Sequence, residues 1–256
     1  MIRREEKEGW FLINQHDHGA LSGQIMNYWG NEAFEPPDPR DEVLFAVTEH
    51  DNGWREWDSS PKINGQTLYP MNFMEMDFPD QKTIWTSSFR RFSEYHPYAS
   101  ALIALHFRVF NQKVIDKKEG GDQTKKLNFE MNKFITSSLN LEFSDSGRLR
   151  LPRKAEINLR LVQVGDIISL ALCHGWLAID IDEAPLNYKG TTLNLKLKSS
   201  DGKNYIINPY PFSEDQLRFQ IVGRKLSQKQ FTTDDELRRK LNESNSEPFE
   251  LSIKSE

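Results

Sequence analysis

The stretch "AEINLRLVQVGDIISLALCHGWL", residues 155–177, predicts the centre of the fold. Its apolar side chains fall on more than one face of a helix, which is typical of a helix that is buried on all sides. One acid, Asp166, lies within this run, with Val162 and Leu170 as helical neighbours. A lone buried carboxylate is strongly unfavourable unless it is paired or coordinates a metal ion. The stretch therefore predicts both a central helix and a buried acidic site.

The composition excludes two classes of partner. The chain has 256 residues and a net charge of -5, so no general attraction to nucleic acid or to an anionic membrane is expected. The N-terminal "MIRREEKEGW" lacks the apolar segment of a signal peptide, and the longest apolar stretch, residues 167–181, is interrupted by His174 and Asp180. The single cysteine, Cys173, suits a reducing compartment. We predict a cytoplasmic protein that acts on a small molecule, with no nucleic-acid or membrane partner, and leave a homo-oligomer open.

Amphipathic helical patterns surround the central helix in the sequence. They cover residues 18–29, about 40–52, 84–92, 97–110 and 127–139. Residues 59–79 are rich in Pro, Gly and Asn and predict a long loop, and residues 116–126 predict a solvated loop. The first 185 residues therefore indicate a helical body.

After Pro185 the pattern changes to an alternation of apolar and polar residues. The segment "TTLNLKLKSSDGKNYIINPYPF" alternates around a turn and predicts an antiparallel hairpin. Two further predicted strands, "LRFQIVGRKL" and "FELSIK", enclose a short helix, "TTDDELRRKLNES". We predict a mainly α fold (α+β overall), with a helical bundle over residues 1–185 and a small C-terminal antiparallel β-sheet over residues 186–256 packed on it.

Four predicted helices each place ionisable groups on the face that should be buried. These groups are His18, the adjacent His50 and Asp51, His106, and Asp166. A divalent cation is the simplest explanation for two acids and three histidines that are buried in one core. Imidazole and carboxylate ligands together favour iron, manganese, zinc or cobalt over magnesium. The sequence therefore predicts a metal site of these five residues, with one ion or two.

The order histidine, histidine–aspartate, aspartate, each on a separate helix, resembles the HD superfamily of metal-dependent phosphohydrolases. His18 matches the first histidine of that motif, and Asp166 matches the terminal aspartate. His50 and Asp51 match the paired signature. The resemblance implies an HD-like helical bundle that holds a metal ion with these residues. More narrowly, "QHDHGALSGQ", "EHDNGWREWD", "LALCHGW" and "NPYPF" resemble an uncharacterised bacterial family of unknown function.

The residues after the pair depart from the pattern of two-metal HD proteins. Those proteins often continue His-Asp-x-Gly-Lys, with a lysine that meets phosphate or a reactive oxygen species. This chain reads "HDNGW", with Trp54, which we interpret as a pocket wall, at the lysine position. Arg55 follows Asp51 by four residues and could supply the missing positive charge. His106 exceeds the minimal ligand set and resembles the histidines that bind a second ion, whereas the next candidate, His96, lies in a predicted loop.

Simpler interpretations exist for several of these residues. Taken alone, the His50–Asp51 pair fits a helix end with a histidine in the negative field of the C-terminal dipole. The presence of His18 and Asp166 on the buried faces of other predicted helices favours metal binding by the pair. Asp17 is favoured as the N-cap of the first helix, with support to His18 as the alternative. His106 fits a core histidine about as well as a ligand.

We predict an enzyme, a metal-dependent hydrolase that acts on a small phosphorylated or nucleotide-like substrate through a metal-activated water. In this hypothesis Asp51, Asp17 and Arg55 contribute to catalysis, and Asp17 or Glu49 accepts a proton. A di-iron oxygenase acting on a small organic substrate is one alternative, motivated by His106 and the missing lysine. A non-catalytic small-molecule-binding or interaction protein on an HD-like scaffold is the other.

Overall fold

The computed structural model of the protein describes residues 1–117, 121–142 and 149–256. Its helices are α1 (Gln15–Met26), α2 (Arg40–Glu49), α3 (Arg55–Asp58), α4 (Phe78–Arg90), α5 (Pro97–Asp116), α6 (Asp122–Ser138), α7 (Arg153–His174) and α8 (Asp234–Glu243). Its strands are β1 (Ile2–Glu5), β2 (Trp10–Ile13), β3 (Ala178–Pro185), β4 (Thr192–Ser199), β5 (Asn204–Asn208), β6 (Gln216–Leu226) and β7 (Ser246–Lys254). Short 3-10 helices, Asn52–Trp54 and Phe73–Glu75, lie between α2 and α4.

The strands form one seven-stranded mixed sheet, a curled half-barrel, in the order β1-β2-β6-β7-β5-β4-β3. Neighbouring strands are antiparallel except β5 and β7, which run parallel. The predicted mainly α, HD-like bundle with a small C-terminal antiparallel sheet is therefore wrong, because 46% of the chain is helical, 21% is strand, and the sheet spans the chain. Strands on both sides of residue 185 share this sheet, while a division into domains 1–185 and 186–256 stays a prediction.

Two of the strands that the sequence did not predict, β1 and β2, lack a readable alternation. β1 ("IRRE") and β2 ("WFLI") have only 4 residues each. Every residue of β2 is buried, so no polar–apolar period marks it. β3 follows the apolar run of α7 after a turn at Gly175, whose φ is 73°. By contrast, the predicted hairpin is confirmed as β4 and β5, and the two later strands are confirmed as β6 and β7.

Helix α7 is the central helix, as the sequence predicts. It contacts α1, α2, α5, β1 and β3, and its residues Ile168, Ala171 and Leu172 are fully buried. By length and composition α7 could cross a membrane, because its most apolar window has a mean hydropathy of 1.2. However, 72% of its most apolar window is buried inside the fold, which is typical of the core helix of a soluble protein. A cytoplasmic location stays a prediction.

Several helices begin earlier than their sequence patterns suggest, among them α1 and α6. α1 begins at Gln15 instead of His18, with Asn14 as its N-cap residue. α6 begins at Asp122, so the second half of the predicted loop 116–126 is helical. Residues 118–120 of that predicted loop lie outside the described residues.

A buried arginine ties the first strand to the end of the central helix. Arg4 on β1 is 8% exposed, and its guanidinium donates to the carbonyl oxygens of Leu172 at 2.8 Å, Cys173 at 3.4 Å and Gly202 at 2.8 Å. It also lies 4.3 Å from the ring centroid of Phe249. Because the last carbonyls of a helix lack intrahelical partners, this cation both satisfies them and complements the negative end of the helix dipole.

Arg4→Met is expected to lower the free energy of unfolding by about 2–4 kcal/mol, because buried carbonyl oxygens lose a charged donor. Urea denaturation followed by circular dichroism measures this change. Arg218→Met, on the exposed side of β6, is the control, with an expected change below about 0.5 kcal/mol. Equal effects of the two substitutions would contradict the role of Arg4.

Candidate metal centre

Separate structural elements bring the five predicted metal ligands together. His18 lies on α1, His106 on α5 and Asp166 on α7. His50 caps the C-terminus of α2, and Asp51 follows it at the start of a 3-10 turn. All five residues are buried, with residue exposures from 0% for His18 to 9% for Asp166. The chain therefore buries two carboxylates and three imidazoles in one place.

The Nε2 atoms of the three histidines face the two carboxylates at short range. His18 Nε2 lies 3.1 Å from Oδ2 of Asp51 and 3.6 Å from Oδ1 of Asp166. His50 Nε2 lies 3.4 Å from Oδ1 of Asp166 and 3.6 Å from Oδ2 of Asp51. His106 Nε2 lies 3.5 Å from Oδ2 of Asp166. Two sets of ligand atoms each lie within 4.8 Å of one another, namely His18–His50–Asp51 and His50–His106–Asp166.

Ser169 fixes the orientation of His18. The Ser169 hydroxyl donates to the backbone carbonyl of Asp166 at 2.9 Å, so its oxygen accepts the Nδ1–H of His18 at 2.8 Å. Nε2 of His18 is then the atom that faces the carboxylates. Contacts of this kind orient histidine ligands and set their tautomer in metal sites. The sequence did not predict this role of Ser169, although its position one helical turn after Asp166 is a signal for it.

His50 is oriented in the same way by the backbone. Its Nδ1 donates to the carbonyl oxygen of Val47 at 2.8 Å. Its buried Nε2 has no hydrogen-bond partner among the described residues. Its nearest neighbours are carboxylate oxygens of Asp166 at 3.4 Å and Asp51 at 3.6 Å, and an imidazole nitrogen in this position, when neutral, is a common metal ligand. The residues present therefore fit a bound divalent cation.

Burial and mutual charge set the protonation of the metal-free cluster. Burial disfavours the cation on His50, but Asp51 and Asp166 outweigh it and raise its pKa to about 9. Burial also disfavours charge on both carboxylates, yet the histidines hold the pKa of each below its usual value. For His106 burial dominates and lowers the pKa to about 4. The two carboxylates thus favour a positive charge beside them. In the metal-free cluster a proton on His50 supplies this charge, and a bound divalent cation would replace that proton.

Two glycines let the ligand-bearing helices approach closely. A Cβ atom at Gly19 on α1 would lie 2.8 Å from the backbone oxygen of Thr48 on α2. A Cβ atom at Gly165 on α7 would lie 2.7 Å from Oγ of Ser22 on α1. Each glycine directly neighbours a predicted ligand in the sequence, so the missing side chains allow α1, α2 and α7 to present those ligands to one point.

The other predicted catalytic residues lie beside the cluster. The prediction that Asp17 caps α1 is wrong, because Asn14 holds that position and donates to Asp17 Oδ2 at 2.9 Å within the first turn. Burial raises the pKa of Asp17. Arg55 pairs with Glu49 at 2.9 Å and donates to Nε2 of His16 at 3.1 Å. Among the described residues, no hydrogen bond joins Asp17 or Arg55 to the five-residue cluster.

Two further residues that the sequence singled out have structural partners elsewhere. Trp54 is 3% exposed, belongs to the hydrophobic core, and packs edge-on against Phe73 with ring centroids 6.4 Å apart. His96 pairs through Nδ1 with Oε1 of Glu42 at 2.9 Å, at the N-terminus of α5. Trp54 therefore stabilises the turn after the His50–Asp51 pair, and the third histidine of the cluster is His106.

The fold and the cluster define an α+β protein with a buried histidine–aspartate centre suited to a divalent cation. A family model described as "Protein of unknown function (DUF3891)" matches residues 1–228. The chain belongs to this family, which confirms the predicted resemblance to an uncharacterised family of unknown function. No curated protein and no solved structure matches the chain.

Ser169→Ala is expected to weaken metal binding about 10–100-fold, because His18 loses the contact that orients it. Isothermal titration of the metal-stripped protein with Mn²⁺ or Zn²⁺ measures the affinity. Ser22→Ala is the matched control, since Ser22 is also a fully buried serine and its hydroxyl has no partner among the described residues. Unchanged affinity in Ser169→Ala would contradict the orienting role.

Metal affinity is expected to rise by up to about tenfold per pH unit between pH 6.5 and 9, because the cation displaces the proton of His50. That proton stabilises the metal-free fold fully below pH 6.5, the ordinary pKa, and its contribution is lost as the pH rises through about 9. Differential scanning fluorimetry should therefore give a larger increase in Tm with added Zn²⁺ at higher pH. A metal-induced increase that is independent of pH would contradict the competition.

Proposed function

We propose that the protein is a metal-dependent hydrolase of HD type that acts on a small phosphorylated or nucleotide-like substrate. The observation that carries this proposal is the position of Nε2 of His50, which makes no close hydrogen bond and lies 3.4 Å from Asp166 and 3.6 Å from Asp51 in a buried cluster. Metal-binding histidines commonly have such a nitrogen, which faces buried carboxylates that can bind the same ion.

The arrangement of the cluster supports the HD likeness. His18, the His50–Asp51 pair and Asp166 follow one another in the order of the HD motif, and they come from separate helical segments. The seven-stranded sheet departs from a purely helical HD bundle. The proposed likeness therefore rests on the site and its ligand order.

A divalent cation held by this cluster would lower the pKa of a bound water and polarise the scissile group. The protein's own residues orient the ligands and exclude bulk solvent, since no ligand side chain belongs to a residue more than 9% exposed. Asp17 is the preferred proton acceptor, because burial raises its pKa and so makes it a stronger base, and it lies next to His18 in α1. Glu49, which precedes His50, is the other candidate, although it is paired with Arg55.

A di-iron oxygenase is the second candidate function, and His106 favours it. His50, His106 and Asp166 form a second set of ligand atoms that shares His50 with the first set. Because Nε2 of His50 has a single lone pair and binds one ion, a second ion would depend on His106 and the carboxylates. Two irons per chain, with loss of one of them in His106→Gln, would select this function over the hydrolase.

Protein from cells supplied with iron, manganese and zinc is expected to contain about one divalent cation per chain and to hydrolyse bis(p-nitrophenyl) phosphate or a related ester. His50→Gln and Asp51→Asn should lose the cation and more than about 100-fold of the activity, because they remove ligands. His96→Gln, outside the cluster, should retain both. A metal content near zero would contradict the metal centre, and a metal-loaded protein inactive on a panel of phosphate esters would contradict the hydrolase.

A further inference from the structure

A short segment of the loop between α3 and α4 lies against two elements that carry candidate metal ligands. This segment, residues 72–76, is called the lid below. The ring centroid of Phe73 is 6.4 Å from that of Trp54, in the turn after Asp51, and 6.2 Å from that of His174, the last residue of α7. Since each candidate ligand is buried, entry of an ion or a substrate requires a covering group to move.

An ion pair joins the lid to β1. The guanidinium of Arg3 donates to Oε1 and Oε2 of Glu75 at 2.6 and 3.1 Å, and to the carbonyl oxygen of Pro70, just before the lid, at 2.7 Å. The backbone N–H of Phe73 adds a longer hydrogen bond, of 3.3 Å, to the carbonyl oxygen of Met1. The Arg3–Glu75 pair, called the latch below, therefore fastens the lid to the first strand.

The lid has internal hydrogen bonds of its own and little buried surface. The side chain of Asn72 accepts the N–H of Met74 at 3.1 Å, and Glu75 accepts the N–H of Asn72 at 3.0 Å, which together form a capping box. Met74 is 65% exposed, and no residue of the 3-10 helix Phe73–Glu75 is fully buried. A segment that keeps its own hydrogen bonds and buries few apolar contacts can open as a unit at low cost.

The ring of His174 lies under the lid and has an unsatisfied nitrogen. Its Nε2 is buried and has no hydrogen-bond partner among the described residues, and the ring stacks on Trp176 with centroids 4.9 Å apart. Burial, with a smaller effect of nearby His18, lowers the pKa of His174 to about 4, so the ring is neutral. Movement of Phe73 away from His174 would give this nitrogen access to water or to a solute, which favours an open lid on the His18 side of the cluster.

We propose that residues 72–76 form a lid that controls access to the metal centre and that the Arg3–Glu75 latch holds it closed. Ions and substrates enter between Phe73 and His174 when the latch opens. A lid changes the rates of entry and exit by the same factor and leaves the affinity unchanged, whereas a metal ligand changes the affinity. The inference rests on the metal centre of the proposed function, and on no particular reaction there.

The test is a stopped-flow measurement of Zn²⁺ uptake by the metal-stripped protein and of Zn²⁺ release from the loaded protein to excess EDTA. Glu75→Gln removes the charge that pairs with Arg3 but keeps an oxygen that can accept the N–H of Asn72. We expect it to accelerate uptake and release by about fivefold each, with a change in Kd below about twofold. Phe73→Ala should accelerate both by about tenfold, because the ring that lies against His174 is removed.

Glu56→Gln is the matched control, because Glu56 also pairs through both carboxylate oxygens with an arginine, Arg91, at 2.7 Å. Both of its rates should equal those of the unmodified protein. Unchanged rates in Glu75→Gln and Phe73→Ala would overturn the lid. An altered Kd with an unchanged uptake rate would overturn it as well, since these substitutions would then act on the ligands themselves.

Hydrogen exchange of the metal-stripped protein tests the lid without any ion. The backbone amides of residues 72–76 should exchange about fivefold faster in Glu75→Gln than in Glu56→Gln. Equal exchange in the two variants would overturn the latch even if the metal content is normal. Faster exchange in Glu75→Gln, in a protein that takes up no metal, would support the latched lid and contradict the metal centre of the proposed function instead.

Discussion

The buried carboxylate of Asp166 is the constraint on which the rest of the structure depends. It lies in the central helix α7, where an uncompensated negative charge is strongly unfavourable. Nε2 atoms of His18, His50 and His106 approach it within 3.4 to 3.6 Å, from three different helical segments. The histidines lower the pKa of Asp166, and the carboxylates raise that of His50. The packing of α1, α2 and α5 on α7 is therefore coupled to the neutralisation of this charge.

The sheet places the helices that meet at this centre. β2 leads directly into α1, so the N-terminal strands deliver His16 and His18 to the side of α7. Arg4 on β1 and the hydroxyl of Tyr205 on β5 donate to carbonyl oxygens at the end of α7, the latter to Ala171 at 3.1 Å. The histidine–aspartate cluster and the sheet therefore both contact the same helix, α7. Strands from both the N-terminal and the C-terminal parts of the chain therefore contact the helix that carries Asp166.

The residues of the buried cluster could be predicted from the sequence, and their surroundings could not. An ionisable side chain in an apolar helical pattern is a local signal, so Asp166 and the three histidines were identifiable. β1 and β2 are too short, and too uniformly buried or charged, to show an alternation of polar and apolar residues. A likeness of four residues to HD proteins does not determine how the strands are connected. The pairing of Arg55 with Glu49 and the bond from Ser169 to His18 arise from tertiary packing, to which sequence spacing gives only a weak guide.

The most direct test of the central claim is anomalous diffraction from crystals of the protein grown with Mn²⁺, Fe²⁺ or Zn²⁺. The predicted result is an anomalous peak at the centre of the cluster, within about 2.0–2.3 Å of Nε2 of His18 and His50 and of oxygens of Asp51 and Asp166. No anomalous peak in the cluster, with Nε2 of His50 donating directly to a carboxylate or to a water, would contradict it.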